Sequence, residues 1–165
     1  MKGLPLMNVI LKQYQLDADN GAHGIKHWER VWHIGNRLAD LNGADKKVIS
    51  YFALLHDACR EDEGEDKNHG PRAVEFIQQH KQYIDLDKPQ FNKLIVAIGG
   101  HTGGSISKDI TIGTAWDADR LDLGRVWIMT DKQYLSTQAS KEEDFFYWAT
   151  KLYQNKRKKV TEWIQ

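Results

Sequence analysis

The sequence predicts an all-α fold, a compact single-domain helical bundle over residues 1–165. Three observations point there. Apolar residues recur three and four positions apart along most of the chain, and no stretch of useful length alternates apolar with polar. The breaks between periodic segments carry helix start and stop signals. A chain of 165 residues suits one domain, able to bury roughly 70% of its unfolded surface. No repeat, low-complexity tract or linker divides it.

Residues 6–16 form a short first helix. The second spans about 24–41 and stops at Asn42-Gly43, a good C-terminal signal. Asp45 caps a third that reaches Asp57 or slightly beyond. The acidic, polar stretch 61–68 is a loop, after which Pro71, suited to a first turn, opens a fourth helix to about His80. Asp87 and Pro89 start a fifth, which ends near His101 in a run of glycines from Gly99 to Gly104. Residues 105–113 read as loop, with a short extended piece at 110–112. Thr114 and Asp117 make a Thr-x-x-Asp start for the sixth helix, and Ser140 with Glu143 a similar one for the last. That last helix carries Phe146, Trp148, Leu152 and Trp163, so a helical extension over about 131–164 follows a core at about 20–125.

Lys+Arg and Asp+Glu each number 23, a formal net charge of zero. Nucleic-acid and membrane proteins usually show a basic excess, so neither partner is expected. A local basic cluster, Lys156 to Lys159, reads as the solvated face of the last helix. The single cysteine, Cys59, excludes an internal disulfide and suggests a reducing compartment. Pro5, Asn8 and Lys12 interrupt the N-terminal stretch, which has neither the apolar core of a signal peptide nor the length of a membrane span. Cytoplasmic residence is the expectation.

The informative feature is where polar residues fall on the apolar stripes. His27 heads the stripe Val31, Ile34, Leu38, Leu41. His56-Asp57 flank the seam Val48, Phe52, Leu55, Cys59, and His101 follows Phe91, Leu94, Ile95 and Ile98 on one face. Asp119 shares a face with Trp116 and Leu123. Four helices thus direct imidazoles or carboxylates inward. Even one unpaired buried polar group costs roughly 1–3 kcal/mol, and a divalent cation removes that cost for several at once.

Three segments, in order, resemble one family. His23-Gly24-Ile25-Lys26-His27-Trp28-Glu29-Arg30-Val31 is similar to the H-x-x-R-V opening of HD-domain proteins. Phe52-Ala53-Leu54-Leu55-His56-Asp57 resembles their His-Asp doublet on an apolar helix, and Trp116-Asp117-Ala118-Asp119-Arg120-Leu121-Asp122 their closing A-D-R-L segment. The resemblance implies a bundle of helices around a metal held by His27, His56, Asp57 and Asp119. His23, four residues before His27, is a weaker ligand candidate at the frayed helix start. Asp119 is preferred to Asp117, which already serves the Thr114 box. Some members of the family insert two histidines between the doublet and the last Asp for a second metal or a phosphate, and His69 and His101 match that order. Asp57, His69 and His101 are therefore the candidate catalytic residues. His33 and His80 are expected on the surface.

Two His and two Asp without a thiolate suit octahedral Mn, Fe, Mg, Co or Ni, and Zn less distinctively. Two coordination positions then stay open, for a water of lowered pKa and a phosphoryl oxygen. The leading expectation is a metal-dependent phosphohydrolase acting on a nucleotide or other small phosphate ester. A di-iron oxygenase and a silent nucleotide-binding module are the alternatives. Arginines match phosphate geometry, so Arg30, Arg60, Arg72 and Arg120 are the candidate substrate-binding residues. Related nucleotide-splitting enzymes often place a carboxylate soon after the doublet; here Arg60 stands there, which leaves the general acid unassigned. The glycine run follows a helix and lacks Gly-Lys-Ser/Thr, so it reads as a helix stop rather than a phosphate loop. Cys59 has no identifiable base and is not a candidate nucleophile.

Overall fold

Three aspartates fix three helix starts. Asp45 accepts from the amides of Lys47 and Val48, Asp87 forms a reciprocal box with Gln90, and Asp109 accepts from Thr111 and Ile112. The computed structural model describes residues 3–103 and 105–154. Its helices are α1 (Gly3–Gln13), α2 (Ile25–Asn42), α3 (Lys46–Leu55), α4 (His69–Gln79), α5 (Lys88–Gly100), α6 (Ile110–Arg120), α7 (Gln138–Lys141) and α8 (Glu143–Lys151). Short 3-10 turns lie between some of them, and no strand occurs among the described residues. The fold is all-α, as expected. No described helix is long and apolar enough to cross a membrane.

Helix α2 packs against both α3 and α6, α5 closes on α3 and α6, and α4 lies on α5. Trp28, Val31, Ile34 and Leu38 of α2 meet Val48, Ile49, Phe52 and Leu55 of α3 and Leu94 and Ile98 of α5 in one buried core. Gly35 permits the close approach, because a Cβ there would lie 2.5 Å from Ile49 Cγ2. The α2 seam ends at Ala39: Leu41, expected on it, is 62% exposed. Gly43, at φ 78°, then turns the chain in the left-handed conformation that glycine tolerates.

Several boundaries differ from the sequence reading. Helix α1 begins and ends three residues early, and α4 begins at His69, with Pro71 inside its first turn. Asp109 caps α6 a full turn before Thr114, so 110–112 is helical rather than extended. Thr114 Oγ1 instead accepts from Asn42, and the buried Asp117 carboxylate accepts from Ser136, Thr137 and Ser140. Thr137, not Ser140, caps α7, and the chain bends at Glu142 before α8. The Lys156–Lys159 cluster and Trp163 lie outside the described residues.

Candidate metal centre

Six side chains from five helix ends converge. His27 comes from the first turn of α2, and His56 and Asp57 from the turn closing α3. His69 opens α4, His101 follows α5, and Asp119 sits in the last turn of α6. All but Asp119 are buried, and its carboxylate is 17% exposed. Gly70 lets α4 approach α5, since a Cβ there would lie 2.8 Å from Ile98 O.

Each imidazole turns Nδ1 toward an oxygen. His27 Nδ1 meets Asp122 Oδ2 at 2.7 Å, and His56 Nδ1 donates to Phe52 O and Ala53 O. His69 Nδ1 donates to Asp66 O, and His101 Nδ1 to Ile98 O. A carbonyl or carboxylate oxygen only accepts, so Nδ1 carries a proton in all four and the Nε2 atoms face inward. They face one another. His27 and His56 Nε2 are 3.0 Å apart, and His69 and His101 Nε2 are 2.8 Å apart.

Asp57 stands between the two pairs. Its Oδ2 is 3.4 Å from His27 Nε2 and 3.5 Å from His56 Nε2, and its Oδ1 is 3.2 Å from His69 Nε2. Asp119 Oδ1 completes the first group, 3.3 Å from His27 Nε2. Ligands about 2.1 Å from an octahedral ion and at right angles lie about 3 Å apart. Two groups among the described residues could therefore hold a cation, His27, His56 and Asp119 in one and Asp57, His69 and His101 in the other.

The electrostatics agree with a cation site. Burial pushes His56 down to about 3, keeping its ring neutral. Burial and Arg125 also act downward on His27, but hydrogen bonds to Asp119, Asp122 and Asp57 outweigh them and raise it to about 9. A proton on His27 Nε2 faces the Asp57 and Asp119 carboxylates, and a bound divalent ion would take its place. Burial acts upward on Asp57, yet the imidazoles of His56, His101, His27 and His69 that face its carboxylate hold it well below the usual carboxylate range. Asp119 is lowered too, against burial, by His27, His56 and Arg125.

The predicted arginines divide. Arg60 and Arg120 line a cavity that opens on four of the six donors, Asp57, His69, His101 and Asp119. Arg60 donates to Gly64 O, while its Nε and Nη1 have no hydrogen-bond partner; Arg120 donates to Tyr134 O and leaves Nη2 without one. Arg30 is not brought to the cavity. Its Nε and Nη2 bind the two oxygens of buried Asp122 at 2.6 and 2.9 Å, which in turn holds His27. Arg72 is likewise engaged elsewhere, on Cys59 O and Asp66, pinning the loop before α4. His33 and His80 are half-buried away from the centre, with His80 against Phe76 and Tyr83.

Three contributors escaped the sequence reading. Asp122 orients His27, and Arg125 lies 3.9 Å from Asp119 while donating to Ala22 O. Glu63 binds His23 Nδ1 at 2.6 Å, and both line the cavity. Asp122 and Arg125 follow the end of α6, where no apolar stripe marks which way a side chain points. Only their i, i+3 spacing hinted at a pair.

The sequence matches the HD domain family over residues 24–142. Among solved structures, the chain is similar to a predicted HD superfamily hydrolase from an uncultured Thermotogales bacterium. The TM-score is 0.64 and the identity 26%, over 92% of this chain and 89% of that one. No curated protein matches.

Proposed function

The chain belongs to the HD domain family, and from that premise we propose that it is a metal-dependent phosphohydrolase acting on a nucleotide or another small phosphate ester. The observation that carries this reading is the close facing of Nε2 atoms in two clusters joined by Asp57. Facing lone pairs repel unless a cation or proton sits between them. Bound divalent ions would supply Lewis acidity and lower the pKa of water. His27, His56 and Asp119 would hold the first ion, and Asp57, His69 and His101 the second.

The chain's own groups define the rest of the chemistry. Arg60, beside Asp57 and with two unmatched donors, offers a planar guanidinium for phosphate oxygens, and Arg120 a further donor. Burial, the largest influence, holds His23 below its ordinary pKa, so its ring is neutral and free to take a proton. The similar structure's description as a predicted hydrolase is in keeping with this reading. The two-cluster arrangement also suits a di-iron oxygenase, so the test must separate the two.

A panel of phosphate esters, assayed with Mn, Mg, Co, Ni, Zn and Fe and paired with elemental analysis, does so. Metal-dependent release of phosphate supports the proposal. Two tightly bound irons with visible absorption, oxygen consumption and no phosphate release would replace it with the oxygenase.

A further inference from the structure

The cavity that opens on Asp57, His69, His101 and Asp119 extends well beyond them. Its volume is about 670 Å³, within the roughly 300–1,000 Å³ of pockets that hold whole organic ligands. A phosphate group alone leaves most of it empty. Beyond the donors and arginines, the lining comes largely from the segment 123–134 and is mostly apolar: Leu123, Val126, Ile128, Met129 and Tyr134.

This segment is held in place yet faces outward. Trp127 N–H donates to Gly124 O, Ile128 N–H to Leu123 O, and Thr130 Oγ1 to Arg120 O at 2.7 Å. Trp127 adopts φ 63°, a left-handed conformation that a bulky residue rarely takes without a reason. The outcome is that Ile128 and Met129 are 53% and 91% exposed beside a polar centre. Several polar groups of the wall are already engaged: Arg120 Nη1 by Tyr134 O, the Thr130 hydroxyl by Arg120 O, and the Asp131 carboxylate by Gln133. The wall offers apolar area and few hydrogen bonds.

Resting on the phosphohydrolase reading, we propose that Ile128, Met129 and Tyr134 form a subsite for an apolar or aromatic leaving group, and so select phosphate esters by that group's surface. The phosphate end lies at Arg60 and the four donors that line the cavity, and the organic end lies on the 123–134 wall. Recognition through apolar contact rather than hydrogen bonds makes the site tolerant of the group's polar pattern, so nucleotides with different bases would be accepted alike.

The test compares the binding of phenylphosphonate and methylphosphonate to protein supplied with excess Mn²⁺, by calorimetry. The two share a headgroup and differ in apolar surface. Phenylphosphonate should bind at least tenfold more tightly, and the Ile128→Ser/Met129→Ser double variant should bring that ratio below threefold by weakening phenylphosphonate. Both side chains are exposed, so the variant should keep its thermal midpoint and metal content. Equal affinities in the wild type, or a preference that survives in the double variant, would overturn the subsite and leave the phosphohydrolase reading standing. Binding of neither phosphonate would overturn both. Equal affinities together with a dimer that the double variant dissociates would assign the patch to a second copy of the chain.

Discussion

Asp122 lies behind His27 and holds its ring in the orientation that turns Nε2 inward. Arg30 in turn holds Asp122 with two hydrogen bonds. Partners of this kind, one bond removed from a ligand, typically change metal affinity about 10–100-fold when lost. Asp122→Asn should therefore weaken metal binding by about that factor. Arg30→Lys keeps the charge, loses the paired hydrogen bonds, and should weaken binding by less, with turnover per bound metal near wild type. Metal titration alongside steady-state rates checks this. Unchanged metal affinity with turnover per metal sharply reduced would return Arg30 to the phosphate, where its place three residues after His27 suggested it. At this scale, residues on apolar stripes were legible: His27, His56 and Asp119 stand out because a stripe gives their direction. Asp122, Glu63 and Arg125 sit in turns and loops, where sequence spacing carries no direction.

Among elements, the start of α6 shows how two overlapping signals compete. Thr114-x-x-Asp117 resembles a cap, but Asp109 captures the amides of Thr111 and Ile112 first. The extra turn makes Asp117 an interior group that ties α6 to α7, rather than a cap residue. The preference for Asp119 over Asp117 as a centre residue thus rested on a role that Asp117 does not have. Asp109→Ala should destabilise the fold by about 0.5–2 kcal/mol, as lost caps do, or a few degrees in thermal midpoint for a chain this size, at about 2–4 °C per kcal/mol. The pH dependence follows from its carboxyl. Burial acts upward on it, but Lys93 and the two amides outweigh burial and hold it below the usual value. A lowered folded-state pKa contributes stability above the unfolded value, about 3.9, that is lost as pH falls through the folded one. The difference in midpoint between wild type and Asp109→Ala should therefore be full at pH 7 and shrink as pH drops below about 4. A difference independent of pH would contradict the role given to the carboxylate. The start of α3 was legible, by contrast, because Asp45 has no rival nearby.

For the whole molecule, the all-α class was readable because helical periodicity needs no knowledge of tertiary contacts. What periodicity lacks is depth. It does not tell that α4 and α5 meet closely enough at Gly70 to pair His69 with His101, or that the segment after α6 lines the cavity. The bundle brings five helix ends to one place, and Asp57 is the residue that both donor groups share by distance. Its two oxygens face different histidine pairs, so its removal bears on both positions at once. The most direct measurement is the metal content of purified wild-type protein and of Asp57→Ala by elemental analysis, with circular dichroism to check that the variant is folded. The wild-type chain should hold two divalent ions, and the folded variant less than one. Equal, stoichiometric metal in both proteins, or none in the wild type after incubation with Mn, Fe, Co, Ni, Zn and Mg, would contradict it.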